Sequence, residues 1–144
     1  MYIDYVFPKC GRVEHPAYNS RRTFLRQGDC FVKKNASLLN RNETKALAQI
    51  KRRVSELFPV DQYVLFGSRA RGDADADSDI DLLIVTEREL SHRERHMVAG
   101  IIFEENLKND ALFSFISVDK ARWSSKLYTF YPIHNTIERE GIPV

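Results

Sequence analysis

Residues 67–85 hold the side chains best suited to chemistry in this sequence: Gly67, Ser68, Arg69 and Arg71 at one end, then an aspartate at every second position from 73 to 81. Asp79 and Asp81 open an apolar run, Leu82-Leu83-Ile84-Val85, that reads as a strand. Side chains two apart in a strand share a face. Two carboxylates placed so repel one another unless something neutralises them. A hard divalent cation does this and keeps coordination positions for phosphate oxygens and water, the usual way Mg2+ is held. Upstream, Gly67-Ser68 follows a shorter apolar run and opens a helical turn whose N–H groups and hydroxyl suit a phosphate. Arg69 and Arg71 add positive charge of the kind that stabilises a leaving pyrophosphate. The expectation is an anion cradle facing a cation site. Alternating aspartates also occur in solvated acidic loops, and an isolated Asp-x-Asp is a weak metal signal.

The elements that must position these residues are readable from residue 40 onward. Asn40 followed by Glu43 forms a capping-box pattern, and Leu47, Ile50, Val54, Leu57 and Phe58 then follow the spacing of one buried helix face until Pro59. Residues 62–66 predict a short buried strand ending at the Gly67-Ser68 turn. Residues 79–86 predict a second strand, with Ile80, Leu82 and Ile84 on one side and Asp79, Asp81, Leu83 and Val85 on the other. Being apolar on both faces at its far end, it should be central. Ser91 with Glu94 caps a helix running to about Asn109, residues 111–118 form a third strand, and Asp119 caps a short helix containing Trp123. Asn135 with Glu138 opens a last helix that stops at Gly141. The fold class is α/β (α+β), a small mixed sheet flanked by helices.

Gly67-Ser68, ten intervening residues, Asp79-Ile80-Asp81 and then Leu82-Leu83-Ile84-Val85 together resemble the signature of the DNA polymerase β-like nucleotidyltransferases. Within that superfamily the sequence is most similar to the minimal, antitoxin-like group, from about Asn40 to Val144, including the closing Ile137-Glu138-Arg139-Glu140-Gly141-Ile142. The resemblance implies transfer of a nucleoside monophosphate from an NTP, AMP from ATP as the first expectation, to a hydroxyl, with pyrophosphate released. It assigns Gly67 and Ser68 to the triphosphate, and Asp79 and Asp81 to catalysis and Mg2+. It also implies a third carboxylate on the next strand. Here Ser114 or Phe115 stands at that position, and Asp110 lies on the Ser114 side only if the strand starts early. The chain closes soon after this core, so the acceptor is expected on a partner protein. The resemblance points to a helical HEPN-type toxin, adenylylated and silenced by this chain. A catalytically degenerate module that binds nucleotide and acts by protein contact is the alternative.

Composition bounds these readings. A chain of 144 residues with 43% hydrophobic and 29% charged residues fits one globular domain. Its longest apolar runs are far shorter than the roughly 20 residues of a membrane span. The N-terminus lacks a signal-peptide pattern, so a cytoplasmic location is expected. The net charge of +2 does not indicate nucleic acid as a partner. Residues 1–38 hold seven basic and three acidic side chains, leaving 15 and 17 for the rest. This N-terminal stretch, with Pro8, Gly11, Pro16 and Gly28 and one extended-looking run at residues 2–7, reads as an appendage to a domain spanning 39–144. Cys10 and Cys30 read as reduced thiols. His92 and His96, four apart on a helix, read as part of a solvated first turn, because no third zinc ligand accompanies them. The aromatic cluster of Phe113, Phe115, Trp123, Tyr128, Phe130 and Tyr131 reads as core or interface.

Overall fold

The computed structural model describes residues 38–72, 75 and 78–144. The N-terminal appendage up to residue 37, with Cys10 and Cys30, lies outside the described residues, as do Asp73 and Asp77. A four-stranded mixed sheet in the order β3-β2-β1-β4 organises the rest. Strands β1 (Val60–Phe66) and β2 (Ile80–Thr86) are antiparallel, and β3 (Phe113–Asp119) runs parallel to β2. The two-residue β4 (Ile142–Pro143) adds antiparallel to β1. Helix α1 (Arg41–Leu57) precedes β1, the short α2 (Gly67–Arg71) joins β1 to β2, and α3 (His92–Asn109) crosses over from β2 to β3. A short α4 (Lys120–Trp123), a 3-10 turn at Tyr128–Phe130 and α5 (Pro132–Glu140) follow.

The strand alternation read from sequence sorts the core into two layers. Tyr63, Leu65, Ile80, Leu82 and Ile84 pack with Ile50 and Val54 of α1 and Val98 and Ile102 of α3. Val64, Phe66, Leu83 and Val85 pack on the opposite face with Val118, Trp123 and Ile137. Strand β2 is the hinge of both layers, since Leu82, Leu83, Ile84 and Val85 are all fully buried. Each such side chain stabilises the fold by roughly 1.5–3 kcal/mol through its burial. This is the central strand expected, and it fixes the backbone that carries Asp81.

Both capping boxes form. Asn40 Oδ1 accepts from Glu43 N at 2.9 Å while Glu43 Oε2 accepts from Asn40 N at 2.7 Å. Ser91 and Glu94 repeat the arrangement at α3. Besides β1 beginning at Val60 and β3 running Phe113–Asp119, four details differ from the sequence expectation. Strand β2 begins at Ile80, so Asp79 lies one residue before it. Leu57 is 53% exposed rather than part of the buried α1 face, which ends at Val54 with Phe58 beyond it. Helix α5 starts at Pro132, whose missing N–H costs nothing in a first turn, and Asn135 sits inside the helix with its amide on Thr129 O. The residues beyond Gly141 pair with β1 as a fourth strand, which had no pattern of its own at two residues long.

Candidate active site

The Gly67-Ser68 turn and the aspartate strand meet through main-chain pairing. Phe66, the last residue of β1, pairs with Asp81 on β2, so the chain leaves the sheet beside that carboxylate. Gly67 takes a positive φ of 78°, a conformation that costs any other L-residue energy. A Cβ built on it would overlap Asp81 Oδ2. Glycine is therefore required twice over, by the backbone angle and by the approach of the carboxylate. Gly72, also left-handed at φ 82°, ends α2, and its N–H donates to Ser68 O at 3.0 Å. The half-buried Ser68 hydroxyl has no hydrogen-bond partner among the described residues.

Asp81 is half-buried on the face it shares with Leu83 and Val85. Directly opposite on the parallel strand stands Ser114, whose hydroxyl donates to Asp81 Oδ1 at 2.7 Å. Oδ1 is thus engaged, and Oδ2 is turned toward Gly67. Asp79 is exposed at the entrance to β2, and Asp81 lies two residues further in. A hard carboxylate beside a backbone that only glycine can follow, with a second one two residues earlier in the chain, fits a divalent cation of the Mg2+ type. Such an ion takes one or two protein carboxylates and completes its shell with phosphate and water. Among the described residues no group of three or more His, Cys, Asp or Glu comes together in a metal-binding arrangement. The position opposite Asp81 holds a serine, and Asp110 does not replace the missing acid. Asp110 caps the C-terminus of α3 in a left-handed conformation at φ 50°, and β3 starts only at Phe113. The early strand start that would have aligned it does not occur.

Arg69 and Arg71 flank the turn, each drawn into an ion pair. Arg69 Nη2 donates to Glu43 Oε1 of α1 at 2.9 Å, and its Nε donates to Ser78 O at 3.3 Å. Arg71 Nη1 donates to Glu140 Oε2 of α5 at 3.0 Å. The Arg139 and Arg71 guanidiniums hold the Glu140 carboxyl below its ordinary range. Sequence reading found Glu43 only as a helix cap. Its bond to a residue 26 positions away needed the tertiary fold. The fold itself therefore brings Gly67 and Asp81 into contact, adds Ser114, sets Ser68 in the adjoining turn, and ties the two arginines to neighbouring helices.

Residues 47–142 match the family described as Nucleotidyltransferase domain, well over half of the chain. The chain belongs to the nucleotidyltransferase domain family. A candidate nucleotidyltransferase of known crystal structure from Sulfolobus solfataricus is 24% identical to it, covering 66% of this chain and 78% of its own, with a TM-score of 0.42. No curated protein sequence matches. The family match spans most of α1, the Gly67-Ser68 turn, β2, α3 and β3 and ends at Ile142, so it includes Gly67, Ser68, Arg69, Arg71, Asp79, Asp81 and Ser114, while Glu43 lies just ahead of it.

The opposite end of the same strand pair is built differently. A cavity of about 240 Å³ opens there among Thr86, Arg95, Ser117, Arg122, Tyr128 and Tyr131. It lies five residues along β2 from Asp81, roughly 17 Å away at the usual strand rise. Of the aromatic cluster, Phe113 and Trp123 are core, Phe115 and Tyr128 are half-buried, and Phe130 and Tyr131 are exposed. His92 and His96 are exposed in the first turns of α3 with their rings in edge contact, as a solvated turn would be. No helix among the described residues is long and apolar enough to cross a membrane.

Proposed function

We infer that this nucleotidyltransferase-domain protein transfers a nucleoside monophosphate, AMP from ATP, to a hydroxyl on a partner protein. The observation that carries the reading is the packing of Gly67 against Asp81, which puts a turn suited to phosphate beside a carboxylate. In the reaction, the acceptor oxygen attacks the α-phosphorus as the bond to the bridging α–β oxygen breaks. The acceptor proton is lost to solvent or a base, and pyrophosphate leaves with the bonding electron pair. Asp79 and Asp81 would hold Mg2+, which supplies neutralisation of the phosphoryl charge. Ser68 and the uncapped first turn of α2 offer the hydroxyl and N–H groups suited to triphosphate oxygens. Gly67 lets the backbone approach, and Arg69 and Arg71 add positive charge around the turn.

Exposed apolar side chains favour a protein acceptor. Leu127 and Phe130 stand 76% and 81% exposed at the 3-10 turn, and Phe103 and Leu107 project from α3. Exposed apolar surface of this kind commonly marks protein contacts. The partner we infer is a HEPN-type helical toxin, with this chain as its antitoxin. Incubation with α-labelled ATP, Mg2+ and that partner should place label covalently on the partner. The label should vanish in Asp79→Asn and Asp81→Asn. Unlabelled partner in the presence of folded, ATP-binding wild-type protein contradicts the reading.

A second reading rests on Ser114. With a serine opposite Asp81, the site has two carboxylates where the family resemblance implies three, and Ser114 cannot act as a base in the way a carboxylate does. On this reading the domain binds Mg·NTP and restrains its partner by contact. Complex formation without label transfer, together with nucleotide binding, distinguishes it.

A further inference from the structure

The two capping boxes of this fold use their glutamates differently. Glu94 serves α3 and pairs with Arg88, six residues away on the surface. Glu43 serves α1 but is 4% exposed, and both of its carboxylate oxygens are committed. Oε2 accepts from Asn40 N at 2.7 Å, and Oε1 accepts from Arg69 at 2.9 Å. A cap alone requires neither the burial nor the second bond. Arg69 in turn extends to Ser78 O, the residue immediately before Asp79. One guanidinium therefore spans three pieces of chain: the start of α1, the Gly67-Ser68 helix that carries it, and the approach to the aspartate strand. A planar, permanently charged fork is suited to holding two acceptors at fixed angles, which an ammonium on a flexible stem is not.

We propose that Glu43 and Arg69 form a positioning pair that sets the Gly67-Ser68 turn at its working distance from Asp79 and Asp81, with Arg69 acting through the fold rather than as a ligand of the triphosphate. The proposal rests on the nucleotide-binding reading above. Glu43 draws the guanidinium toward α1, and the Ser78 bond registers Asp79 against the turn. Small misplacements of a bound reactant are expensive even when they originate far from the reacting atoms.

Glu43→Gln keeps the side-chain shape and a carbonyl oxygen for Asn40 N–H while removing the charge that holds Arg69. Arg69→Lys keeps the charge and removes the fork. Both variants should bind Mg·ATP roughly tenfold to a hundredfold more weakly in calorimetry and need more Mg2+ for half-saturation. The double variant should be no worse than the weaker single one, because the pair acts as a unit. A lowered Tm with unchanged affinity in the folded protein would reduce the pair to scaffolding and overturn the proposal. Unchanged or tighter binding by Glu43→Gln, the result expected if Arg69 grips phosphate directly, overturns it too. Glu43→Asp, which keeps the charge but shortens the reach to Arg69, takes the place of Glu43→Gln if that variant does not fold, with the same outcomes. Wild-type protein that binds no nucleotide overturns the parent reading and this one with it, whereas wild-type binding matched by both variants overturns the positioning role alone.

Discussion

Ser114 on β3 donates its hydroxyl to Asp81 Oδ1 on β2 across 2.7 Å, at the register position where the two parallel strands face each other. A carboxylate at position 114 would therefore stand beside Asp81 and complete a three-acid site. Ser114→Asp should raise Mg2+ affinity by roughly tenfold or more, because affinity for a hard cation rises with the number of charged ligands. In metal-free buffer the same variant should be less stable by up to about 1 kcal/mol, since like charges directly opposite in a sheet repel. Calorimetric Mg2+ titration and urea unfolding with and without Mg2+ measure the two effects. An affinity no higher than that of the wild type contradicts the placement of the cation beside Asp81.

Gly67→Ala tests the contact on the other side of Asp81. The substitution places a methyl group where Asp81 Oδ2 lies and holds a non-glycine residue at φ 78°. The backbone conformation alone costs about 1–3 kcal/mol. Urea unfolding should show a loss of at least about 2 kcal/mol, and Mg·ATP binding should be lost in the fraction that stays folded. Gly72→Ala is the control. Its φ is also positive, but no atom of the described residues lies within 4 Å of the place its Cβ would take, so it should cost stability through the backbone and leave Asp81 undisturbed.

Periodicity carried most of this fold into the sequence. Strand β2 was legible because its alternation and its double-sided burial are local properties of Ile80 to Val85, and both capping boxes were legible because their partners are three residues apart. At the site, spacing gave a Gly-Ser turn ahead of an aspartate strand, and the antiparallel pairing that packs Gly67 against Asp81 came from the fold. What escaped were partners distant in sequence. Nothing local to Glu43 says that Arg69 will reach it, and nothing local to Arg71 names Glu140. The fourth strand escaped because two residues show no alternation, and Leu57 misled because helical phase sets direction but not whether a neighbour is there to cover the side chain.

Glu94 provides a pH-dependent readout at α3. Hydrogen bonds from Arg88, then from the Ser91 amide and hydroxyl, lower its carboxyl from 4.5 to about 2. A carboxyl depressed in the folded state contributes stability that is fully present above its unfolded value near pH 4.5 and is lost as pH falls through about 2. Carbon-detected NMR titration should place the Glu94 midpoint near 2 in the wild type. Arg88→Met should move it upward, toward the value of an unpaired glutamate. A midpoint that Arg88→Met leaves unchanged shows that the Arg88 bond does not hold the carboxylate in solution.

Asp79 and Asp81 should separate when their effects on stability and on binding are measured together. Asp79 is exposed, has no hydrogen-bond partner among the described residues, and lies before the strand. Asp79→Asn should therefore change the unfolding free energy by no more than about 0.5 kcal/mol. Asp81 is half-buried and accepts from Ser114, so Asp81→Asn weakens a charge-assisted bond and should cost about 1 kcal/mol or more. If the two acids share one cation, the difference disappears in a binding measurement: each variant alone should abolish Mg2+-dependent ATP binding. Saturating Mg·ATP at about a hundred times its Kd should stabilise the wild type by about 2.7 kcal/mol and neither variant. Nucleotide-linked stabilisation that survives in Asp79→Asn would leave Asp81 as the sole carboxylate of the site.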